Sequence, residues 1–178
     1  MGLLLTLAIS CSHKFDSNVL DLAFYQWNFW PDMDATLEKS DPSCGWEELH
    51  RGTGKLVRIP ALVKDHFPGE GGAEVYWYHC RFTLPEHWED MEVTLGFDAV
   101  GPLTEVYLNQ DLVGSHRGEQ GDFEIDVSDV IYYTRDNHLA IRVSLRDGSA
   151  RDDSGPNGVV AVGAGIAGGV QARAKITP

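Results

Sequence analysis

The sequence predicts an all-β fold in which antiparallel strands form a sandwich or a barrel. Several stretches show strict alternation of apolar and polar residues, which marks strands buried on one face. Glycine, proline and aspartate recur at short intervals, as the turns between short strands require. No segment shows the long 3.6-residue apolar period of crossover helices, so a parallel α/β fold is excluded.

The most clearly predicted strands are those in which apolar residues alternate with polar ones. They cover residues 91–97, 106–108, 123–127 and 139–145. Enrichment in aromatic and β-branched residues predicts further strands. These cover residues 24–30, 56–59, 74–84, 159–162 and 170–176. Residues 32–37 and 128–134 are each expected to form one helical turn.

Length and charge limit the function classes. The chain has 178 residues, of which 43% are hydrophobic, and this suits one domain with a sizeable core. The formal net charge is -13, and Lys and Arg are scattered along the sequence. Phosphate binding needs a cluster of cationic side chains, so no nucleic-acid partner is expected. An acidic surface is compatible with a neutral sugar ligand.

The N-terminus leaves two interpretations open. Residues 1–17 are expected to be a signal or lipoprotein segment or a disordered N-terminus, and residues 18–178 a single β-sandwich domain. The apolar run over residues 3–9 is far shorter than the roughly 20 residues of a membrane-spanning helix. Residues 7–11 are similar to a bacterial lipoprotein cleavage box, which makes Cys11 a candidate lipidation site. No Lys or Arg precedes the run, whereas signal segments normally begin with positive charge.

Localisation follows from that choice. Export would place the protein in the periplasm or, through a lipid on Cys11, at a bacterial membrane; an ordinary apolar start would leave it cytoplasmic.

The other two cysteines are Cys44 and Cys80. Cys80 lies within the apolar run VYWYHCRF and is expected to be a small buried hydrophobe. A Cys44–Cys80 disulfide is left open, because their spacing does not decide it.

The stretch EVYLNQDLVGSHRG over residues 105–118 predicts a hairpin that turns at residues 109–111. Asn109 readily adopts the positive φ of a tight turn, but Gln110 does so less readily. We therefore expect a longer turn or another turn type at this position.

This hairpin belongs to an ordered series of short motifs. The others are VRIP (57–60), WYHCRFTLP (77–85), LGFDAV (95–100), FEIDV (123–127), DNHLAIRV (136–143) and GIAGGV (165–170). Together they resemble the N-terminal sugar-binding domain of glycoside hydrolase family 2, the β-galactosidase, β-glucuronidase and β-mannosidase group. The resemblance covers residues 20–176 and implies a jelly-roll β-sandwich of the galactose-binding-like type. It also implies a structural role for His116. His79 and Gln110 depart from it, since relatives usually carry Arg and Gly there.

The resemblance implies a non-catalytic domain. Family 2 glycosidases use a retaining mechanism, which needs two carboxylates about 5–5.5 Å apart. In the family both come from a separate (β/α)8 barrel of about 250 residues. In this sequence the predicted sandwich accounts for nearly all of the 178 residues. No catalytic residue is therefore assigned, and this chain alone is not expected to be an enzyme.

The leading interpretation is a carbohydrate-associated sandwich: an isolated domain, part of a truncated β-glycosidase, or a free-standing module. Its partner would be a carbohydrate or a glycosidase catalytic domain. The alternative is a protein-interaction sandwich that packs on a partner and binds no sugar.

Sugar binding needs an aromatic platform with polar groups around it. Trp30, Trp46 and Trp88 lie near strand ends, and each precedes carboxylates. Some relatives lend an Asp to the active site from the loop before "GI", where Asp152 and Asp153 lie here. The alternatives are that the tryptophans cover the sandwich edge and that the Asp residues belong to a solvated loop.

No metal ligand is assigned from sequence, because the seven histidines form no H-x-H or H-E-x-x-H pattern. No cofactor is expected, except that a structural Ca²⁺, which this fold type often carries, is left open. Asp147, Asp152, Asp153 and Asn157 supply oxygens, but their spacing does not fit an EF-hand loop.

Overall fold

The computed structural model describes residues 18–36, 39–66, 73–101, 103–118, 121–145 and 164–176. These residues form two six-stranded sheets in which every recorded strand pair is antiparallel. The predicted antiparallel β-sandwich is therefore confirmed. The predicted strand over residues 159–162 lies outside the described residues.

The strands are β1 (Val19–Asp21), β2 (Trp27–Asp32), β3 (Lys55–Val57), β4 (Ala61–Leu62), β5 (Val75–Phe82), β6 (Glu92–Gly101), β7 (Leu103–Leu108), β8 (Asp111–Arg117), β9 (Gly121–Asp126), β10 (Asn137–Ser144), β11 (Gly165–Ile166) and β12 (Val170–Lys175). Two short helices, α1 (Trp46–Arg51) and α2 (Val63–His66), and two 3-10 turns, Leu22–Phe24 and Glu86–Trp88, lie between strands. No helix among the described residues is long and apolar enough to cross a membrane.

The first sheet has the order β1-β12-β6-β11-β4, and β9 also pairs with β6. The second sheet has the order β3-β2-β5-β10-β7-β8. Side chains alternate along a strand, so every second residue of each sheet points inward. These inward side chains form one continuous core between the two sheets. Its largest fully buried side chains are Trp27, Phe29, Tyr76, Tyr78, Phe82, Trp88 and Phe97.

The outer face of the second sheet is covered as well. A smaller apolar cluster there contains Leu49 from α1, Trp77 from β5 and Tyr107 from β7. Trp30, Cys44 and Trp46 pack against it. Strand β5 is consequently buried at every position except Arg81. Helix α1 and the segment before it pack on this face, and the site described below lies beside them.

Helix α1 was not predicted, because its six residues are too few to show a helical period. It follows Gly45 and ends at Arg51. The next residue, Gly52, has a φ of 71° and donates its N–H to the Leu49 carbonyl, which makes a left-handed C-terminal cap. A Cβ on Gly52 would lie 2.8 Å from Nδ2 of Asn28. A side chain here would have to displace the Asn28 amide, and the positive φ would strain any residue other than glycine.

The β7–β8 hairpin forms as predicted, but with a two-residue turn. Leu108 pairs with Asp111, and both Asn109 and Gln110 have positive φ, at 56° and 82°. Of the two alternatives expected from Gln110, a longer turn or another turn type, the longer turn does not form. The reason is tertiary, since Nδ2 of Asn109 donates to the Val130 carbonyl and to Oδ1 of Asn137, both at 3.0 Å. These bonds offset the reluctance of Gln110 to adopt positive φ.

Cys44 and Cys80 are both free thiols, so the disulfide left open above does not form. Cys80 lies in the core between the sheets, whereas Cys44 packs on the outer face of the second sheet. The sheet separates them. Burial raises the pKa of the Cys80 thiol to about 12 and raises the pKa of Cys44 as well.

We expect Cys80 to resist alkylation in the folded protein, because the thiolate is the reactive form. At about pH 8, iodoacetamide should label Cys80 at least about a hundredfold more slowly in the native protein than in urea. Peptide mass spectrometry distinguishes Cys80 from Cys44 and Cys11. Rapid native labelling of Cys80 would contradict its buried position.

Candidate functional site

A cleft of about 860 Å³ opens at one end of the outer face of the second sheet, beside α1. Its floor is built by neighbouring strands, since Asn28 of β2 pairs directly with His79 of β5. Arg81 lies two residues further along β5, on the same face. The cleft is lined by Tyr25, Gln26, Asn28, Trp46, Glu47, His50, Arg51, Gly52, His79, Arg81 and Gln110.

Helix α1 forms one wall and is fixed by the buried carboxylate of Asp32. Nε1 of Trp77 and the backbone N–H of Ser43 both donate to Oδ2 of Asp32, each at 3.0 Å. The Ser43 hydroxyl donates to Oδ1 of the same group. These bonds tie the segment before α1 to the sheet, because charged acceptors make the stronger hydrogen bonds.

The Trp46 ring is held between α1 and the sheet. Its centroid lies 5.6 Å from that of Trp77 and 5.2 Å from that of Tyr107, in tilted or edge arrangements. Its Nε1 donates to Oδ1 of Asp41 at 3.0 Å. The ring is therefore fixed in orientation while it lines the cleft.

The charged groups of the cleft are paired. Arg51 contacts Glu47 at 2.5 Å and Glu48 at 2.9 Å within α1. Arg81 lies 3.6 Å from Asp136. All three pairs are solvent-exposed and each is worth only a few tenths of a kcal/mol, roughly. The guanidinium groups can therefore exchange these partners for a ligand at little cost.

Three histidines meet beside the cleft: His50 from α1, His79 from β5 and His138 from β10. Nε2 of His79 and Nδ1 of His138 lie 3.0 Å apart, with ring centroids 5.3 Å apart and planes at 13°. The two rings therefore meet edge to edge and share one hydrogen bond. His50 stacks on His138, with centroids 4.1 Å apart.

These histidines are neutral near pH 7. Burial, and to a lesser degree the charges of His50 and His138, lowers the pKa of His79 to about 3. Burial, followed by the charge of His138, lowers the pKa of His50 to about 4. Burial also lowers the pKa of His138. Nε2 of His50, Nδ1 of His79 and Oδ1 of Asn28 are buried with no hydrogen-bond partner among the described residues.

Comparison with known proteins identifies the domain type. Residues 48–155, more than half of the chain, match the family described as "Glycosyl hydrolases family 2, sugar binding domain". The chain belongs to this family. The match includes the part of α1 that carries His50, together with the whole of β5 and β10.

Two curated relatives of this sugar-binding domain are glycosidases. A β-galactosidase of Thermoanaerobacter pseudethanolicus is 31% identical over 98 residues, which are 52% of this chain and 13% of that protein. A β-glucuronidase of Bacteroides fragilis is 30% identical over 67 residues, 38% of this chain and 10% of that protein. The chain therefore spans only a small part of the length of these relatives.

Solved structures support the same fold. A β-D-glucuronidase from Dictyoglomus thermophilum superposes with a TM-score of 0.64 at 20% identity, over 89% of this chain and 28% of that one. A family 2 member from Bacteroides cellulosilyticus gives 0.66 at 15% identity, over 89% of this chain and 21% of that one. At such identities the similarity concerns the fold.

Of the three tryptophans among the predicted site residues, Trp30 and Trp46 pack on the outer apolar cluster and Trp88 lies in the core between the sheets. Trp46 lines the cleft. Trp30 lies on β2 and packs on the outer apolar cluster, outside the cleft lining. Trp88 is fully buried in the core, because the 3-10 turn Glu86–Trp88 folds it inward, so its ring has no face open to a sugar. Asp152, Asp153 and Cys11 lie outside the described residues.

Sequence reasoning missed most of the cleft and the histidine cluster beside it. Asn28, His79 and His138 occupy outward positions of strands, which ordinarily face solvent, and α1 was not predicted. The available signal was the departure from the family pattern, where His79 and Gln110 replace the usual Arg and Gly. Both of these residues line the cleft.

Replacing Asp32 with alanine should lower the free energy of unfolding by about 2–3 kcal/mol, because buried donors lose a charged acceptor. Asp41→Ala is the matched control, since Asp41 also accepts an indole N–H but is exposed. Its cost should stay below about 1 kcal/mol. Urea denaturation measures both, and equal losses would contradict the anchoring role of Asp32.

Proposed function

We propose that this chain acts as a non-catalytic carbohydrate-binding domain and that the cleft beside α1 holds the sugar. The observation that carries the proposal is the composition of the cleft lining. An indole ring, from Trp46, lies among amide and guanidinium groups, including those of Gln26 and Arg81. This combination of one aromatic surface with several polar groups suits a sugar ring, which presents both C–H and hydroxyl groups.

The size and hydrogen-bonding capacity of the cleft support this proposal. Its volume of about 860 Å³ falls within the roughly 300–1,000 Å³ typical of small-molecule sites. The exposed amides of Gln26 and Gln110 supply donors and acceptors in pairs, as sugar hydroxyls require. Oδ1 of Asn28 is buried without a partner and gains one if a ligand or water reaches it.

The carboxylates of the cleft support a non-catalytic role. Retaining hydrolysis needs two carboxylates about 5–5.5 Å apart across the scissile bond. Glu47 is the single carboxylate among the residues that line the described cleft, and it is paired with Arg51. The described strands are antiparallel throughout, whereas the catalytic barrel of the family is a parallel one. We infer that any hydrolysis depends on a separate catalytic domain, in this protein or in a partner.

The cleft should bind simple sugars at millimolar concentration. We would titrate galactose, glucuronate and methyl β-glucoside into ¹⁵N-labelled protein and follow amide shifts. Gln26→Ala should weaken binding about fivefold, the effect of one lost hydrogen bond. Gln171→Ala, on β12 of the first sheet, is the matched control and should change nothing. Absence of shifts with every sugar would overturn the proposal, as would equal effects of both variants.

The purified chain should not hydrolyse aryl β-galactosides or β-glucuronides above the rate of a heat-unfolded control, because the cleft offers no second carboxylate. Release of nitrophenol measures this directly. Turnover that persists after repeated purification and disappears in Glu47→Gln would contradict the non-catalytic role while leaving sugar binding intact.

A further inference from the structure

The three histidines form a cluster whose geometry can be assessed without reference to the proposed sugar site. One ligand nitrogen from each of His50, His79 and His138 lies within 4.8 Å of the other two. A tetrahedral ion with bonds of about 2.0–2.1 Å holds its ligands about 3.3 Å apart. The His79–His138 nitrogen pair, at 3.0 Å, is already close to that spacing. His50 is half-buried on a short helix, so a side-chain rotation can complete the approach.

The cluster also contains two buried polar atoms without partners. Nδ1 of His79 and Nε2 of His50 make no hydrogen bond with any described residue. His79 is 2% exposed, so bulk water does not compensate its orphaned nitrogen. Whichever ring donates the single His79–His138 hydrogen bond, Nδ1 of His79 stays unpaired. An ion bound by Nε2 of His50 would supply that buried nitrogen with a partner, whereas on His79 the ligand is Nε2 and Nδ1 keeps no partner among the described residues.

We propose that His50, His79 and His138 bind one divalent transition-metal ion of the class that prefers imidazole ligands, which includes Zn²⁺. Three imidazoles suit Zn²⁺, Co²⁺, Ni²⁺ or Cu²⁺, whereas Ca²⁺ and Mg²⁺ require oxygen ligands. The ion takes the place of the hydrogen shared by His79 and His138. That hydrogen moves to the other nitrogen of the same ring, so the pair releases no net proton.

Histidine binds a metal as the neutral imidazole. The guanidinium of Arg81, on the same face, is partly balanced by Asp136 at 3.6 Å. A three-histidine site leaves a fourth coordination position for water or a ligand. Because His50 and His79 also line the cleft, that position lies at its edge.

The test uses the whole chain after treatment with a chelator, without sugar present. Calorimetry with ZnCl2 should show one site per chain, with micromolar or tighter affinity. Co²⁺ should produce the visible absorption bands of a tetrahedral nitrogen-ligated ion, and added Zn²⁺ should remove them. CaCl2 in excess should not compete.

Variants assign the site. His79→Gln and His138→Gln should each weaken Zn²⁺ binding more than about tenfold, since a lost ligand costs at least as much as a lost second-shell partner. His50→Gln, at a half-buried helix position, should do the same and covers the case in which a strand variant fails to fold. His87→Gln, which removes a described histidine outside the cluster, should bind like the wild type.

Two results would overturn the proposal. One is the absence of saturable Zn²⁺ and Co²⁺ binding by the wild-type chain. The other is binding that survives His50→Gln in a folded protein, as checked by far-UV circular dichroism. Sugar titrations of the chelated protein are read separately, so failure of the metal site and failure of the carbohydrate proposal are distinguishable.

Discussion

The pairing of β5 with β10 is the constraint on which the rest of the structure depends. Eight consecutive residues of each strand pair, from Asn137 opposite Phe82 to Ser144 opposite Val75. Both strands are buried on both faces along most of their length. Since the side-chain period is two, a slip of one residue would exchange the inner and outer faces of β10. The register therefore fixes the core and the outer cluster together.

In a strand that is buried on both faces, polar side chains are shielded from water and need hydrogen-bond partners within the protein. Arg142, on the outer face of β10, donates to Glu105 at 2.9 Å and to Ser144 at 3.0 Å. Asp32 accepts from Trp77 on the same face. Towards the other end of the strand pair, the side chains of His79 and His138 hydrogen-bond to each other. Nδ1 of His79 and Nε2 of His50 are buried there without a partner among the described residues. Nε of Arg142 is also buried without a partner among the described residues, so unpaired polar atoms occur along the outer face as well as at the candidate site.

The alternating strands were predictable because their pattern is local. Residues 91–97, 123–127 and 139–145 closely match β6, β9 and β10. Strands of two or three residues, such as β4 and β11, are too short to show a period and depend on pairing with β6 or with each other. His79 and His138 are 59 residues apart, and only the strand register brings them together. Trp88 was misplaced because a 3-10 turn, not the sequence pattern, decides which way its ring points.

The approach of α1 to the sheet links the cleft to the histidines. The helix supplies Glu47 and Arg51 to the cleft wall and His50 to the histidine cluster, while Leu49 anchors it in the outer apolar cluster. Its distance from β2 is set at Gly52, where a Cβ would lie 2.8 Å from Asn28. A side chain at that position has to displace either Asn28 from the cleft floor or the helix from the sheet. Displacement of Asn28 would change the cleft floor, whereas displacement of the helix would also separate His50 from His138.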